Sequence, residues 1–179
     1  MTGGWEDAAD ADEVHALLEA CDAHQAEATG TPRPARRPET TAALVAGRHV
    51  RLLREDGRAV GMFTLDTRPR AEEPPGHPRA DRPAYLSRLA VAPDQLSAGS
   101  LVGVRCLREA VRLAGALGAD ALRAEANPDI RGTRALLASL GFEQCGPVHS
   151  DDTGRRFVHL HKPLDVRKAE PCPRTPSRP

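Results

Sequence analysis

Aromatic residues are scarce: one tryptophan, one tyrosine and three phenylalanines amount to 3% of the 179 residues. A core with so few rings has to be built from leucine, valine and alanine. An excess of one charge is also lacking, because lysine plus arginine equals aspartate plus glutamate at 25 each. No global field therefore recruits nucleic acid or an anionic membrane. No apolar run approaches the ~20 residues of a membrane span, and Met1-Thr2-Gly3-Gly4-Trp5-Glu6-Asp7 has neither the basic nor the apolar region of a leader. These absences predict a cytoplasmic chain with no nucleic-acid and no membrane partner. The four cysteines, Cys21, Cys106, Cys145 and Cys172, show no CxxC spacing, so neither a disulfide framework nor a zinc site is indicated, and no metal is expected. Hydrophobic residues at 40% and charged residues at 28% are ordinary for a globular protein, and the length suits one domain. The abundance of alanine, arginine, glycine and proline points to a GC-rich bacterial genome.

What is present is an order of elements. Trp5-Glu6-Asp7 reads as the remnant of a first edge strand. A helix follows from Asp10 or Asp12, with an aspartate as N-cap and Val14, Leu17, Leu18 and Cys21 on one stripe, fading by Thr29-Gly30. Prolines 32, 34 and 38 exclude helix from the next stretch, which carries Arg33, Arg36 and Arg37, and a short helix then runs from Pro38 to about Ala46. Two strands, His49–Arg54 and Ala59–Leu65, flank Asp56-Gly57, a strong hairpin signal because glycine accepts the positive φ the turn needs. Residues 66–83 hold five prolines and no apolar periodicity.

The segment from Ala84 to Phe142 organises the rest. A strand, Tyr85–Val91, closes at Ala92-Pro93-Asp94, and a loop, Gln95–Ser100, precedes an amphipathic helix from about Leu101 to Leu117. Leu101, Val104, Leu107, Val111, Ala114 and Leu117 are read as its buried face, with Arg105, Arg108 and Arg112 opposite. Gly118-Ala119-Asp120 leads to a second strand, Ala121–Glu125. After Asn127-Pro128-Asp129 come another helix and Leu140-Gly141-Phe142. Two strands, Glu143–Val148 and Arg156–Lys162, end the fold as an antiparallel pair. His159 and His161 alternate on what is read as an edge strand and are expected at the surface. Residues 165–179 lack apolar pattern and are expected to be a disordered tail after a domain of 1–164.

Leu89-Ala90-Val91-Ala92-Pro93, Ala98-Gly99-Ser100-Leu101-Val102-Gly103, Gly118-Ala119-Asp120 and Leu140-Gly141-Phe142, in this order and spacing, resemble the core of the GCN5-related N-acetyltransferase (GNAT) superfamily. The resemblance implies an α/β (α+β) fold: a mixed, largely antiparallel central sheet flanked by helices, with a splayed parallel strand pair at an acyl-CoA site. It implies acetyl-CoA, or another acyl-CoA, as cosubstrate. The exposed backbone of Leu89, Ala90 and Val91 would pair with the pantetheine amides. The pyrophosphate would sit on Ala98, Gly99, Ser100, Leu101, Val102 and Gly103 at a helix N-terminus, whose N–H groups lack internal partners. Asn127 and Arg134 complete the candidate cofactor set, although Arg134 reads equally as a solvated helix charge.

Two departures qualify the likeness. The loop has Ala98 where the family commonly places arginine or glutamine, and Leu101 where it commonly places glycine. Leu137 stands where many members have a tyrosine that protonates the departing thiolate. Tyr85, Ser87 and Glu125 are the candidate catalytic residues. Tyr85 is a proton donor through water or a half-buried packing residue; Ser87 lies where members carry a general base; Glu125 drains a proton or caps its strand. His49 and His77 are site-mouth alternatives. The implied activity is direct transfer of acetyl to the primary amine of a small molecule. The alternative is a degenerate domain that binds CoA or a protein partner with little catalysis. Subunit pairing is common in the family, so a homodimer is an open expectation.

Overall fold

The computed structural model describes residues 3–69 and 76–165. The predicted disordered tail, apart from Asp165, lies outside these residues. The elements, in chain order, are β1 (Gly3–Asp7), α1 (Ala11–Thr29), α2 (Pro38–Ala46), β2 (Val50–Glu55), β3 (Arg58–Asp66) and β4 (Pro83–Val91). Then come α3 (Pro93–Ser97), α4 (Val102–Ala116), β5 (Ala121–Ala126), α5 (Arg131–Ser139), β6 (Glu143–Ser150) and β7 (Arg156–Pro163).

Local chemistry explains most boundaries. The Asp10 side chain accepts from the backbone N–H of Asp12 at 2.9 Å and of Glu13 at 3.2 Å, so α1 begins with a carboxylate cap that stabilises it by about 1 kcal/mol. Gly30 ends that helix at φ 69°, a left-handed conformation that suits glycine. Pro38 and Pro93 occupy the first helical positions of α2 and α3, where a missing N–H costs nothing. The helix α3 occupies part of the stretch expected to be loop. Proline at its start and the Ala92 carbonyl accepting from Gln95 and Leu96 are enough to close one turn.

The strands form one sheet in the order β1-β2-β3-β4-β5-β7-β6, antiparallel throughout except for β4 and β5. The expected mixed, largely antiparallel sheet with one parallel pair is present. Against expectation, β7 is an inner strand, because the chain places β6 at the outer edge and returns between it and β5. His161 is accordingly 7% exposed, and the side chain of His159 12% exposed. Cys145 sits half-buried on the edge strand β6.

One cluster packs α4, with Leu137 and Phe142, onto Phe63, Leu86, Leu122 and Leu160 of the sheet. The buried stripe of α4 is Val102, Cys106, Leu107, Ala110 and Ala114. It is rotated from the predicted one, leaving Leu101 at 69% and Leu117 at 60% exposure. The stripe follows the small residues because β3 comes very close: a Cβ on Gly61 would lie 2.6 Å from Val102 Cγ1 and 2.9 Å from Cys106 Sγ. A second cluster packs Val14, Leu18, Cys21 and Leu44 of α1 and α2 onto Leu52, Met62 and Ala90 on the opposite face. No helix among the described residues is long and apolar enough to cross a membrane.

The parallel ladder is short. It pairs Pro83–Leu86 with Ala121–Ala124 and stops there. Immediately beyond, Arg88 adopts φ 50°, and the β3 ladder slips between Met62 and Thr64, so that one residue of β3 faces two of β4. This is a β-bulge. Before it Leu86 faces the α4 layer; after it Val91 faces that layer and Ala90 the α1 layer.

Candidate functional site

A cavity of about 490 Å³ opens where β4 and β5 part. Its walls come from α1 and the proline segment after it, from β4, from the start of α4, and from β5, α5 and β7. Ladder partners share a face of the sheet, so the register composes the floor. Tyr85 is paired with Asp66 on one side and Arg123 on the other, and Arg123 with His161, which makes one polar row. In the next row Ser87 is paired with Thr64, and Glu125 with His159. Continued by one residue, the parallel ladder would pair Ser87 with Glu125. It ends at Leu86 and Ala124, and the strands part at the next residues, Ser87 and Glu125.

The three candidate catalytic residues, Tyr85, Ser87 and Glu125, all line this cavity. The Ser87 hydroxyl oxygen is buried and has no hydrogen-bond partner among the described residues. A buried hydroxyl left in that condition costs free energy that a ligand contact would recover. Glu125, about half exposed, has Oε1 3.8 Å from His159 Nδ1 and Oε2 3.7 Å from Arg155 Nη2. Burial holds His159 below the ordinary histidine pKa, and the Glu125 charge only partly opposes this. The ring is therefore neutral at neutral pH. It meets the rings of His77 and His149 edge-on, at centroid distances of 5.3 and 5.0 Å.

Of the candidate cofactor residues, Leu89, Val91, Gly103 and Asn127 line the cavity, while the Ala90 side chain packs into the α1 cluster. The backbone N–H groups of Ala98, Gly99 and Ser100 are engaged around α3, donating to the carbonyls of Asp94, Leu96 and Gln95 at 3.0, 3.1 and 3.0 Å. Leu101 is exposed, and Val102 is buried with its N–H 3.4 Å from the Ser100 hydroxyl. Arg134 is outside the cavity lining and donates to Gln144 Oε1 at 2.9 Å. Of the site-mouth alternatives, His77 lines the cavity; His49 lies outside its lining and binds Asp66 at 2.8 Å.

Several lining residues were not singled out from the sequence. Arg123, 4% exposed, donates from Nη2 to the Pro78 carbonyl at 2.8 Å. Asp22 accepts both arms of Arg36, at 2.7 and 3.0 Å, and so ties α1 to the proline segment on the opposite wall. Arg88 and Arg155 complete the charged lining. The strands carried a usable signal: Arg123 and Glu125 alternate with Leu122 and Ala124, and His159 and His161 with Val158 and Leu160, which places charge and imidazole on one face. None of the three described cysteines is poised as a thiolate. Burial pushes Cys106 up to about 12 and raises Cys21 and Cys145 as well. Among the described residues, no group of three or more histidine, cysteine, aspartate or glutamate side chains is arranged to hold a metal ion.

No family model and no curated protein matches the sequence. Solved structures do match. A GNAT-family acetyltransferase from Streptococcus agalactiae is similar over 91% of this chain and 96% of its own, at 16% identity and a TM-score of 0.67. The ribosomal-protein-alanine N-acetyltransferase of Brucella melitensis is similar over 89% of this chain and 99% of its own, at 21% identity and a TM-score of 0.65. The N-acetylglutamate synthase of Neisseria gonorrhoeae, complexed with coenzyme A and N-acetyl-glutamate, is similar over 92% of this chain and 36% of its own, at 21% identity and a TM-score of 0.61. The chain thus has the fold of the GNAT acetyltransferases.

Proposed function

We propose that the chain is a GNAT-superfamily N-acyltransferase that moves an acyl group, acetyl by default, from an acyl-CoA to the primary amine of a small molecule within one ternary complex. The observation that carries this reading is the parting of β4 from β5 at the Arg88 bulge, with Ser87 and Glu125 on its two lips. Structural likeness to acetyltransferases, one of them bound to coenzyme A, supports acyl transfer.

In this reading the β4 edge at Leu89–Val91, released from β5, takes the pantetheine amides as a neighbouring strand would. The phosphates lie toward the start of α4, where Gly103 keeps the cavity wall low. A backbone N–H of β4 and the Ser87 hydroxyl polarise the thioester carbonyl. Glu125, steadied by His159 and Arg155, accepts a proton from the acceptor ammonium. The amine nitrogen then bonds to the carbonyl carbon as the carbon–sulfur bond breaks. The departing thiolate takes its proton from Tyr85 through water, since Leu137 has none to give, and the proton lost from the new amide nitrogen passes through water to restore Tyr85. The raised thiol pKa values support direct transfer over a covalent cysteine route.

Isothermal titration with acetyl-CoA and CoA, followed by turnover on a panel of amines, is the test. Micromolar binding of acetyl-CoA is expected, and Glu125→Gln should lower kcat by about 10²–10⁴ with acetyl-CoA binding retained. Absence of acetyl-CoA binding up to millimolar concentration would end this reading and leave the fold as a protein-interaction module.

A further inference from the structure

The proline segment walls one side of the cavity, yet little holds it there. Among the described residues, residues 32–36 make no backbone hydrogen bond and belong to no helix or strand. Pro32 and Pro34 have no N–H to give. The tie to the rest of the fold is the Arg36 side chain. It donates from Nε to Asp22 Oδ2 at 2.7 Å and from Nη2 to Asp22 Oδ1 at 3.0 Å, the two-armed, charge-assisted geometry that is strongest for this pair of groups. The side chains are 19% and 10% exposed, so salt screens the contact little. The Asp22 end is rigid: Cys21 beside it is 2% exposed and shares a packed cluster with Leu18 and with Ala90 of β4. Asp22, Arg36, Thr31, Pro32 and Pro34 all line the cavity.

From this arrangement we infer that Asp22 and Arg36 are a positioning pair that fixes the acceptor-facing wall and so sets the acceptor's affinity. The inference rests on the transferase reading above. There the acyl-CoA runs along the β4 edge toward the start of α4, which leaves the acceptor the side walled by α1 and the proline segment. With the pair formed, that wall stands in place before the acceptor arrives. With the pair broken, no other hydrogen bond keeps residues 32–36 against the cavity, and the wall is in place in only a fraction of the molecules. Apparent affinity for the acceptor then falls by that fraction, while a saturated complex, whose wall has been recruited, reacts as before.

The test compares the full chain with Asp22→Asn, which keeps the shape and removes the charge, and with Asp22→Glu, which keeps the carboxylate. The first readout needs no acceptor. Arg33 and Arg37 precede Pro34 and Pro38, bonds that trypsin cuts poorly, so the readily cut bond of this segment is Arg36–Arg37. Cutting it requires the Arg36 side chain that the pair holds. Asp22→Asn should speed cleavage there by about 10-fold or more, read by mass spectrometry, with Asp22→Glu close to wild type. The second readout is turnover of acetyl-CoA with hexylamine, 2-phenylethylamine and 1,4-diaminobutane. Asp22→Asn should raise the amine KM by about 10-fold or more, leaving kcat and the CoA dissociation constant within about threefold, and Asp22→Glu should restore KM. Arg36→Lys, which gives up the two-armed geometry, replaces Asp22→Asn in both readouts if that variant does not fold. Unchanged cleavage would overturn the pair as the fastening. Faster cleavage with an unchanged amine KM, or with CoA affinity falling as far as amine affinity, would overturn the positioning role and leave the transferase standing. A protein that binds acetyl-CoA but acetylates none of the three amines would overturn the acceptor role; one that does not bind acetyl-CoA would overturn both readings.

Discussion

One face of the sheet carries two different surfaces. From β2 to β4 it is apolar and covered: Leu52 is 1% exposed, Met62 0% and Ala90 2%, beneath α1 and α2. Toward β5 and β7 the same face carries Tyr85, Ser87, Arg123, Glu125, His159 and His161, and the cavity lies over it. Strand alternation assigns residues to a face in both regions. The difference lies in the cover. The first region is buried beneath helices, the second lines the cavity, and the boundary falls on β4, where the bulge is.

That division is open to measurement, beginning with the largest expected effect. Leu52→Ala should cost about 2–5 kcal/mol, read as a lower urea midpoint, because it removes a fully buried side chain from beneath α1. Gly61→Ala should cost about 1–3 kcal/mol, since the new methyl forces β3 and α4 apart where contacts would fall below 3 Å. A smaller effect is expected from pH. His159 and His161 both have folded pKa values below the unfolded value near 6.5, so the unfolded chain binds more protons as pH falls. Their contribution is complete above that value and is lost as pH drops through it toward the folded values. The melting temperature should fall between pH 7.5 and 5.5, and replacing both histidines with glutamine should flatten that slope. Ser87→Ala should change stability by no more than about 0.5 kcal/mol in the unfavourable direction, because the hydroxyl it removes satisfies no partner. It should still slow turnover. A loss of stability at Ser87 as large as that at Leu52 would erase the distinction between the two regions.

The apolar region was the more legible in the sequence. Val14, Leu17, Leu18 and Cys21 announce the buried face of α1, and Asp56-Gly57 announces the hairpin, because periodicity and turn chemistry are local. The candidate catalytic residues Tyr85, Ser87 and Glu125 were reachable for the same reason: strand alternation sets them on faces that the parallel pairing of β4 with β5 then brings together. What was not local was missed. The histidines of β7 read as surface because no nearby residue says that this strand inserts between β5 and β6. The buried face of α4 was misread because its position is set by the close approach of Gly61, 41 residues before Val102 in the chain. Asp22 and Arg36 meet only after α1 and the proline segment fold against each other.

Arg88 has a consequence for how this strand tolerates change. An arginine at φ 50° costs on the order of 1–2 kcal/mol relative to extended backbone. In exchange the residue acts as an insertion in a two-letter reading frame: everything after it is read one step out of register with everything before. Deleting it would restore the frame. Ala90 and Val91 would keep their layers, Leu89 alone would face Phe63 of β3, and β4 would be free to run on beside β5 past Leu86. The repaired strand would belong to a more regular sheet, closed along the seam where a second molecule now has room to enter.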